Sequence, residues 1–116
     1  MELQIVSTYY VNGISTSEKS KYFKGKIYAI RSFKTDKIYI GSTTQLLHKR
    51  FYQHMGSFRR GNMCCSSSEI IKYGDAYIEL LESYPSFTKE QLTKKERECI
   101  RKNKDICVNC FTNTKN

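Results

Sequence analysis

The sequence lacks tryptophan, is poor in proline and glycine, and has no long apolar run. One proline and six glycines in 116 residues argue against collagen, a flexible linker or wholesale disorder. Because no stretch of about 18 consecutive apolar residues occurs, we expect no membrane-spanning helix and no membrane partner. A chain of this length can form one domain around a single modest core.

An export signal and a complete set of paired cysteines are also missing. Residues 1–4 have neither the basic nor the apolar region of a signal peptide. Five cysteines are an odd number, which does not fit full disulfide pairing. We therefore expect reduced thiols in an intracellular protein, in the cytoplasm or nucleus of a host cell, and not a secreted one.

Acidic residues are scarce, and the positive charge is concentrated in one stretch. The chain has 20 Lys and Arg against 11 Asp and Glu, a formal charge of +9. Residues 19–60 hold eleven of the basic residues and a single acid, Asp36. Such a surface attracts polyanions, above all nucleic acid, because neutralised phosphates release counterions. The alternative is a solvated basic surface that only aids solubility.

Residues 1–22 look like an N-terminal extension, and residues 23–116 form the predicted domain. Within the extension, residues 5–11 predict a strand, and Asn12-Gly13 is typical of a turn. This segment either adds an edge strand to the domain or remains loose.

The apolar pattern of the remaining chain predicts an α+β domain, with a small, mainly antiparallel sheet flanked by helices. The predicted strands are residues 23–33 and 37–41 (a hairpin), 76–82 and 106–108. The predicted helices are residues 45–60, 66–73 and 88–103. The first helix has an apolar stripe of Leu47, Phe51, Met55 and Phe58, and the last begins with a capping box from Thr88 to Gln91.

The hairpin has two chemically different faces. Tyr28 and Tyr39 are eleven positions apart, so a loop with an even number of residues places them on the same face. The opposite face is apolar and comprises Ile27, Ala29, Ile38 and Ile40. We expect the apolar face to be buried.

One acidic residue of the last helix is unexpected, because Glu96 shares a face with Leu92 and Ile100. A carboxylate on an apolar face is costly unless it is paired or binds a cation. Glu96 could equally reach water at the edge of the stripe or pair with an arginine. Arg50 and His54 are four apart and lie on one flank of their helix. Taken singly, each is typical of an ordinary surface or half-buried residue.

The ordered set of short motifs resembles the GIY-YIG nuclease family. Lys26-Ile27-Tyr28 is followed, after ten residues, by Tyr39-Ile40-Gly41. Further matches are Arg50, His54, Glu96 and Asn109, so the resemblance covers about residues 25–110. One departure is Lys26, which stands where the family usually has glycine.

The resemblance implies a metal-dependent DNA endonuclease of low intrinsic sequence specificity. It also implies a stand-alone catalytic domain, like those of phages and large DNA viruses. The implied catalytic residues are Tyr28, Tyr39, Arg50, His54, Glu96 and Asn109. Glu96 would bind Mg²⁺ or Mn²⁺, and Mg²⁺ prefers oxygen ligands and keeps several waters.

The implied chemistry assigns each of these residues a part. Arg50 would fork onto a phosphate oxygen, a tyrosine would hold or deprotonate the water, and Asn109 would orient the site or the neighbouring backbone. His54 could share or relay the proton. Some family members place a histidine farther on, where this chain has residues 62–65, so the proton acceptor is left open.

The DNA-binding surface is expected on the opening hairpin and the first helix. The candidate residues are Lys26, Ser42, Thr43, Lys49, Arg59 and Arg60. Ser42 and Thr43 either contact phosphate or cap a turn. Since one small domain makes few base contacts, a homodimer or a partner protein could supply specificity.

Three alternatives remain open at this point. The domain could be a catalytically inactive nucleic-acid-binding module on the same fold, or an interaction protein whose basic face binds an acidic partner. Cys107 and Cys110 have C-x-x-C spacing, and a zinc site would need further thiols from Cys64, Cys65 or Cys99. Zinc is disfavoured because adjacent cysteines chelate poorly and residue 108 is predicted to lie in a core strand.

Overall fold

The computed structural model describes residues 21–61 and 66–109. These residues form an antiparallel three-stranded sheet in the order β2-β1-β3, with helices on both faces. After a 3-10 turn (Lys21–Lys24), the elements are β1 (Lys26–Ser32), β2 (Thr35–Thr43), α1 (Leu47–Arg59), α2 (Ser68–Ile71), β3 (Tyr77–Ser83) and α3 (Lys89–Lys102). The predicted α+β class is confirmed. The strand predicted at residues 5–11 lies outside the described residues.

A two-residue loop joins β1 and β2 and sets the faces of the hairpin. Tyr28 lies opposite Gly41, and Ile30 lies opposite Tyr39. The loop length is even, so both tyrosines share one face, as predicted. The strand bounds differ from the prediction, because residues 23 and 24 belong to the 3-10 turn and β2 continues to Thr43.

One face of the sheet packs on α3 through a buried apolar cluster. Its buried cluster comprises Ile27, Ala29, Ile38, Ile40, Leu92 and Ile100. Fully burying one isoleucine side chain contributes about 1.5–3 kcal/mol. This face therefore supplies much of the stability of the sheet and fixes the position of α3.

The other face packs on α1 and α2. Its buried cluster is Tyr28, Ile30, Ile70 and Ile71, and the predicted stripe of α1 lies against it half-buried, with Leu47, Phe51, Met55 and Phe58. Within α1 itself the buried residue is His54. This face therefore contains polar groups in the interior.

The predicted bounds agree better with the structure for α3 than for α1 and α2. The predicted capping box is present, since the Gln91 N–H donates to Thr88 Oγ1 at 3.2 Å and the Gln91 side chain accepts from the Thr88 N–H at 3.3 Å. Helix α1 begins two residues later than predicted and has no side-chain cap at Leu46. Helix α2 is shorter than predicted and precedes Gly74, whose φ is +89°.

The strand predicted at residues 106–108 is wrong as a full strand. Cys107 forms a single parallel bridge with Ile38. The Ile38 N–H donates to the Ile106 carbonyl and the Val108 N–H donates to the Ile38 carbonyl, both at 2.8 Å. The backbone pairing ends there. At the next position the side chain of Asn109, and not its backbone, bonds to β2.

Candidate active site

The hydroxyl of Tyr28 is the point at which β1 and α1 meet. Tyr28 is fully buried, and its hydroxyl oxygen lies 2.7 Å from His54 Nε2. Arg50 Nε donates to the same oxygen at 3.2 Å. Arg50 and His54 are one helical turn apart and lie on one flank of α1, as their spacing predicts, and the structure adds that both reach the same phenol.

The imidazole of His54 is held at both ring nitrogens. Its Nδ1 lies 2.7 Å from Ser67 Oγ, and the residue is 3 % exposed. Burial, and then the positive charge of Arg50, lower the pKa of His54 to about 4. The ring is therefore neutral at pH 7, and one of its nitrogens has a lone pair that can accept a hydrogen bond. Ser67 was missed, because no spacing rule links a serine in the turn before α2 to a histidine of α1.

Gly41 is required by the packing of Tyr28 across the strands. A Cβ atom at Gly41 would lie 2.5 Å from the Tyr28 hydroxyl oxygen and 2.7 Å from its Cζ. Real Cβ atoms do not approach other atoms so closely. The glycine of the second motif therefore has a steric role that its sequence match alone does not reveal.

Tyr39 completes an aromatic cluster around His54. Its ring centroid lies 5.2 Å from that of His54 and 6.4 Å from that of Tyr28. Tyr39 is half-buried, in contrast to Tyr28. Of the two phenols, Tyr39 is the one with exposed surface.

Glu96 approaches from the opposite face of the sheet, on α3. Its carboxylate accepts a hydrogen bond from Ser42 Oγ. Burial raises the pKa of Glu96, and the Ser42 hydrogen bond and the charges of Arg97 and Arg50 act against that rise. Because Arg50 acts on Glu96 and also bonds to Tyr28, the two halves of the site meet at Arg50.

Asn109 connects the C-terminal segment to β2. Its Oδ1 accepts from the Ile40 N–H at 3.1 Å, and its Nδ2 donates to the Ile40 carbonyl at 2.7 Å. The side chain is buried. Asn109 therefore holds the backbone between Tyr39 and Gly41, which is the orienting part that the sequence suggested.

The predicted DNA-binding residues occupy different surroundings. Thr43 is buried and its Oγ1 accepts from the Gln45 N–H at 3.0 Å, which is the turn-capping alternative. The Lys26 ammonium donates to the carbonyls of Lys24 at 3.0 Å and of Gln45 at 2.9 Å. Burial, and then the charge of Lys24, lower the pKa of Lys26. Lys49 is exposed.

The remaining pair, Arg59 and Arg60, is exposed at the far end of α1. At 1.5 Å per residue, Arg59 lies about 14 Å along the helix from Arg50. By contrast, a groove of about 290 Å³ opens directly beside Ser42 and Arg50, and Lys89 also lines it. The structure thus brings together the catalytic candidates but not all of the basic ones.

Residues 24–109 match the family model of the GIY-YIG catalytic domain. The chain belongs to the GIY-YIG family. Members of this family are endonucleases that act on DNA and generally use divalent metal ions. The resemblance inferred from the ordered motifs is confirmed.

A viral relative is similar over part of the GIY-YIG chain. It is the uncharacterized protein 019R of Invertebrate iridescent virus 6, which is 34% identical over 58 residues. The match covers 50% of this chain and 21% of the relative, so the chain spans about a fifth of the length of that protein. No solved structure matches the chain.

The residues at the GIY-YIG site fit a divalent cation that needs few protein ligands. The described residues contain no group of three or more His, Cys, Asp or Glu side chains arranged to hold a metal. Among them, no cation forms an ion pair with Glu96, although its carboxylate is desolvated. Mg²⁺ suits such a site, because it is often bound through one carboxylate with several waters retained.

The zinc site considered for the cysteines of the GIY-YIG domain stays an untested prediction. Cys64, Cys65 and Cys110 lie outside the described residues. Burial raises the pKa of Cys107 to about 11, and burial also raises that of Cys99. Both are therefore protonated thiols of low reactivity at neutral pH.

In the part of the chain that the structure describes, no helix is long and apolar enough to cross a bilayer.

Proposed function

We propose that this protein is a metal-dependent endonuclease that hydrolyses phosphodiester bonds in DNA with low intrinsic sequence specificity. The observation that carries the proposal is the buried hydrogen-bonded set of Tyr28, His54 and Arg50. It lies next to a desolvated carboxylate, Glu96, whose pKa Arg50 affects. A proton acceptor, a phosphate-binding cation and a metal ligand are the groups that this hydrolysis needs.

In this proposal the Tyr28–His54 pair accepts the proton of the attacking water. The phenol oxygen takes the proton from water and passes its own proton to Nε2 of His54, which becomes an imidazolium. Tyr28 has no exposed surface. We therefore infer that Arg50 moves from the phenol to the phosphate when DNA binds, and that the water takes its place.

Arg50 and Glu96 would act on the phosphate side. Arg50 presents further N–H groups beyond the one bonded to Tyr28, and a guanidinium can bind two phosphate oxygens at once. Glu96, with Ser42 hydrogen-bonded to it, would hold Mg²⁺ or Mn²⁺. When bound, such an ion supplies Lewis-acid stabilisation of the charge that develops at phosphate and on the leaving oxygen.

Specificity would come from outside this small site. One domain of this size offers few base contacts, so we expect DNA shape, a second copy or a partner protein to select the target. The competing function, an inactive binding module, predicts the same salt-sensitive affinity without cleavage. The viral relative is consistent with a domain of viral type.

The test is nicking of supercoiled plasmid with Mg²⁺ or Mn²⁺, and with EDTA. We expect metal-dependent nicking by the wild type and a loss of at least about a hundredfold in Glu96→Gln. The matched control is Glu98→Gln on the same helix, which should nick normally. Burial raises the pKa of Glu96, so the charged form is disfavoured in the fold and the neutral Gln should not lower the melting temperature at pH 7.5.

Each outcome separates the alternatives. Nicking that persists in Glu96→Gln would show that the metal-ligand assignment is wrong. A wild type that binds DNA in a salt-sensitive way and never cuts it would favour the inactive module.

A further inference from the structure

Three shallow grooves adjoin one another beside Arg50. The central groove, of about 290 Å³, shares Thr44 and Gln45 with a groove of about 250 Å³ on one side. It shares Lys89 and Thr93 with a third groove, of about 300 Å³, on another side. Because neighbouring grooves share lining residues, we treat the three as one surface, here named the trough, which extends from the start of α1 to the side of α3 between Lys89 and Arg97.

The charge of the trough has one dominant sign. Among the described residues that line it, Glu90 is the single acid. The cations that line it are Lys24, Lys26, Lys49, Lys21, Arg50, Lys89 and Arg97. A concave surface of this kind concentrates its potential along its length and fits an extended polyanion.

The α3 side of the trough is a single helical stripe. Lys89, Thr93 and Arg97 follow one another at intervals of four residues, so they lie along one side of α3. Glu96 follows Lys89 by seven residues, about two helical turns, and lies on the same side. From Lys89 to Arg97 the helix rises about 12 Å, over which one strand of B-DNA carries about three phosphates. The stripe therefore runs directly past the carboxylate assigned to the metal.

The cations of this stripe are available to an external anion. Lys89 and Arg97 are exposed, and no described carboxylate lies within ion-pair distance of either. Lys95, on another side of α3, has its ammonium 3.5 Å from Glu82 and 3.9 Å from Glu98. Lys95, which lines none of the three grooves, is therefore paired with carboxylates, whereas Lys89 and Arg97, which line the trough, form no ion pair with the described carboxylates.

The arginines at the end of α1 are a contrasting pair. Arg59 and Arg60 are equally exposed, yet they line none of these three grooves. The Arg60 guanidinium donates to Ser57 on its own helix at 3.5 Å. The two pairs therefore carry the same charge and differ in position.

We propose that the trough is the path of the DNA strand that is cut, with Lys89 and Arg97 as phosphate-binding residues on α3. The proposal rests on the proposed nuclease function and extends it. The sequence placed the DNA surface on the hairpin and α1, whereas this path crosses from α1 to α3. The strand would pass over Ser42 and Arg50, where Glu96 lies below it.

The test compares two charge-matched double variants in DNA binding, without cleavage. Lys89→Gln with Arg97→Gln is compared with Arg59→Gln with Arg60→Gln, and each removes two positive charges at exposed positions. Binding of a fluorescent duplex is measured by anisotropy in EDTA, between about 50 and 200 mM salt. Circular dichroism checks that both variants fold.

We expect the α3 pair to flatten the slope of log K against log salt by about 1.8, since each lost phosphate contact removes about 0.9. The α1 pair should change that slope by less than half as much. Equal changes in the two variants, or a larger change in the α1 pair, would overturn the trough while leaving the nuclease proposal intact. A wild type with no salt-sensitive DNA binding would contradict both proposals.

Discussion

The face of the sheet that packs on α3 buries isoleucine, leucine and alanine, whereas the face under α1 and α2 also buries a phenol, an imidazole and a serine hydroxyl. The apolar face needs only shape and volume, so many residues of similar size would serve. The polar face needs each group bonded, because an unpaired buried polar group costs about 1–3 kcal/mol. The comparison shows the hydrogen-bonded Tyr28–His54 pair on one side of the sheet and the apolar cluster on the other, the side from which Glu96 reaches Ser42.

The strand β2 links these two sides. Gly41 and Ser42 are neighbours whose positions point to opposite faces. Gly41 leaves room for Tyr28 on the polar face, and Ser42 bonds to Glu96 on the apolar side. A disturbance of this strand should therefore affect both halves of the site.

The largest effect is expected for Gly41→Ala. The added methyl group would collide with the Tyr28 hydroxyl at 2.5 Å, so the phenol must move away from His54 and Arg50. We expect nicking to fall by at least about a hundredfold and the free energy of unfolding to fall by about 3 kcal/mol. Plasmid nicking and urea denaturation measure the two losses.

The control for that variant is Gly56→Ala, in α1. There the new Cβ would lie 3.2 Å from the flexible end of Arg60, which can shift. Alanine should stabilise the helix by about 1 kcal/mol and leave nicking intact. Equal damage from both substitutions would mean that the close approach at Gly41 is not what matters.

A purely structural loss is expected for Ile100→Ala on the apolar face. Ile100 is 2 % exposed and lies one helical turn from Glu96. Removing its side chain should lower the free energy of unfolding by about 3 kcal/mol, through lost burial and a cavity. At a temperature where the variant stays folded, the rate of nicking should fall by less than about threefold. A loss as large as that of Glu96→Gln would contradict the division between the two faces.

The last expected effect, on stability and without a change in sequence, is a pH dependence centred on His54 of the polar face. Folding lowers the pKa of His54 from 6.5 to about 4, so its contribution is present above pH 6.5 and is lost as the pH falls towards 4. The loss is on the order of 3 kcal/mol in the free energy of unfolding. Urea denaturation from pH 7.5 to 4 should show a steeper decline in the wild type than in His54→Gln. The exposed His48→Gln should behave like the wild type, and a slope unchanged in His54→Gln would show that another group titrates.

Local patterns predicted much of this architecture. Alternation placed Tyr28 and Tyr39 on one face, because side-chain direction in a hairpin depends only on parity. Helical spacing joined Arg50 to His54, and the Thr88–Gln91 box set the start of α3 within the sequence itself. The odd position of Glu96 on an apolar stripe was visible for the same reason.

Contacts between distant segments were not predictable in the same way. The bond from Ser67 to His54 spans 13 residues and depends on how α2 packs on α1. The extent of the segment at 106–108 depends on Asn109, whose amide replaces a further backbone pair. The roles assigned to the DNA-binding residues stay predictions. The positions of basic residues in a sequence do not determine which part of the folded surface is concave.

The hydrogen bonds between Asn109 and Ile40 have a consequence for the order in which the protein folds during its synthesis. The two residues are 69 positions apart, so β2 leaves the ribosome long before its outer edge meets the amide that pairs with it. Until then, the edge offers unpaired backbone groups to any neighbouring strand, which is a known route to aggregation. The same delay keeps Tyr39 and Gly41 without their final backbone support. A nascent chain would therefore acquire an ordered site only after residue 109 has left the ribosome and its side chain has docked on β2.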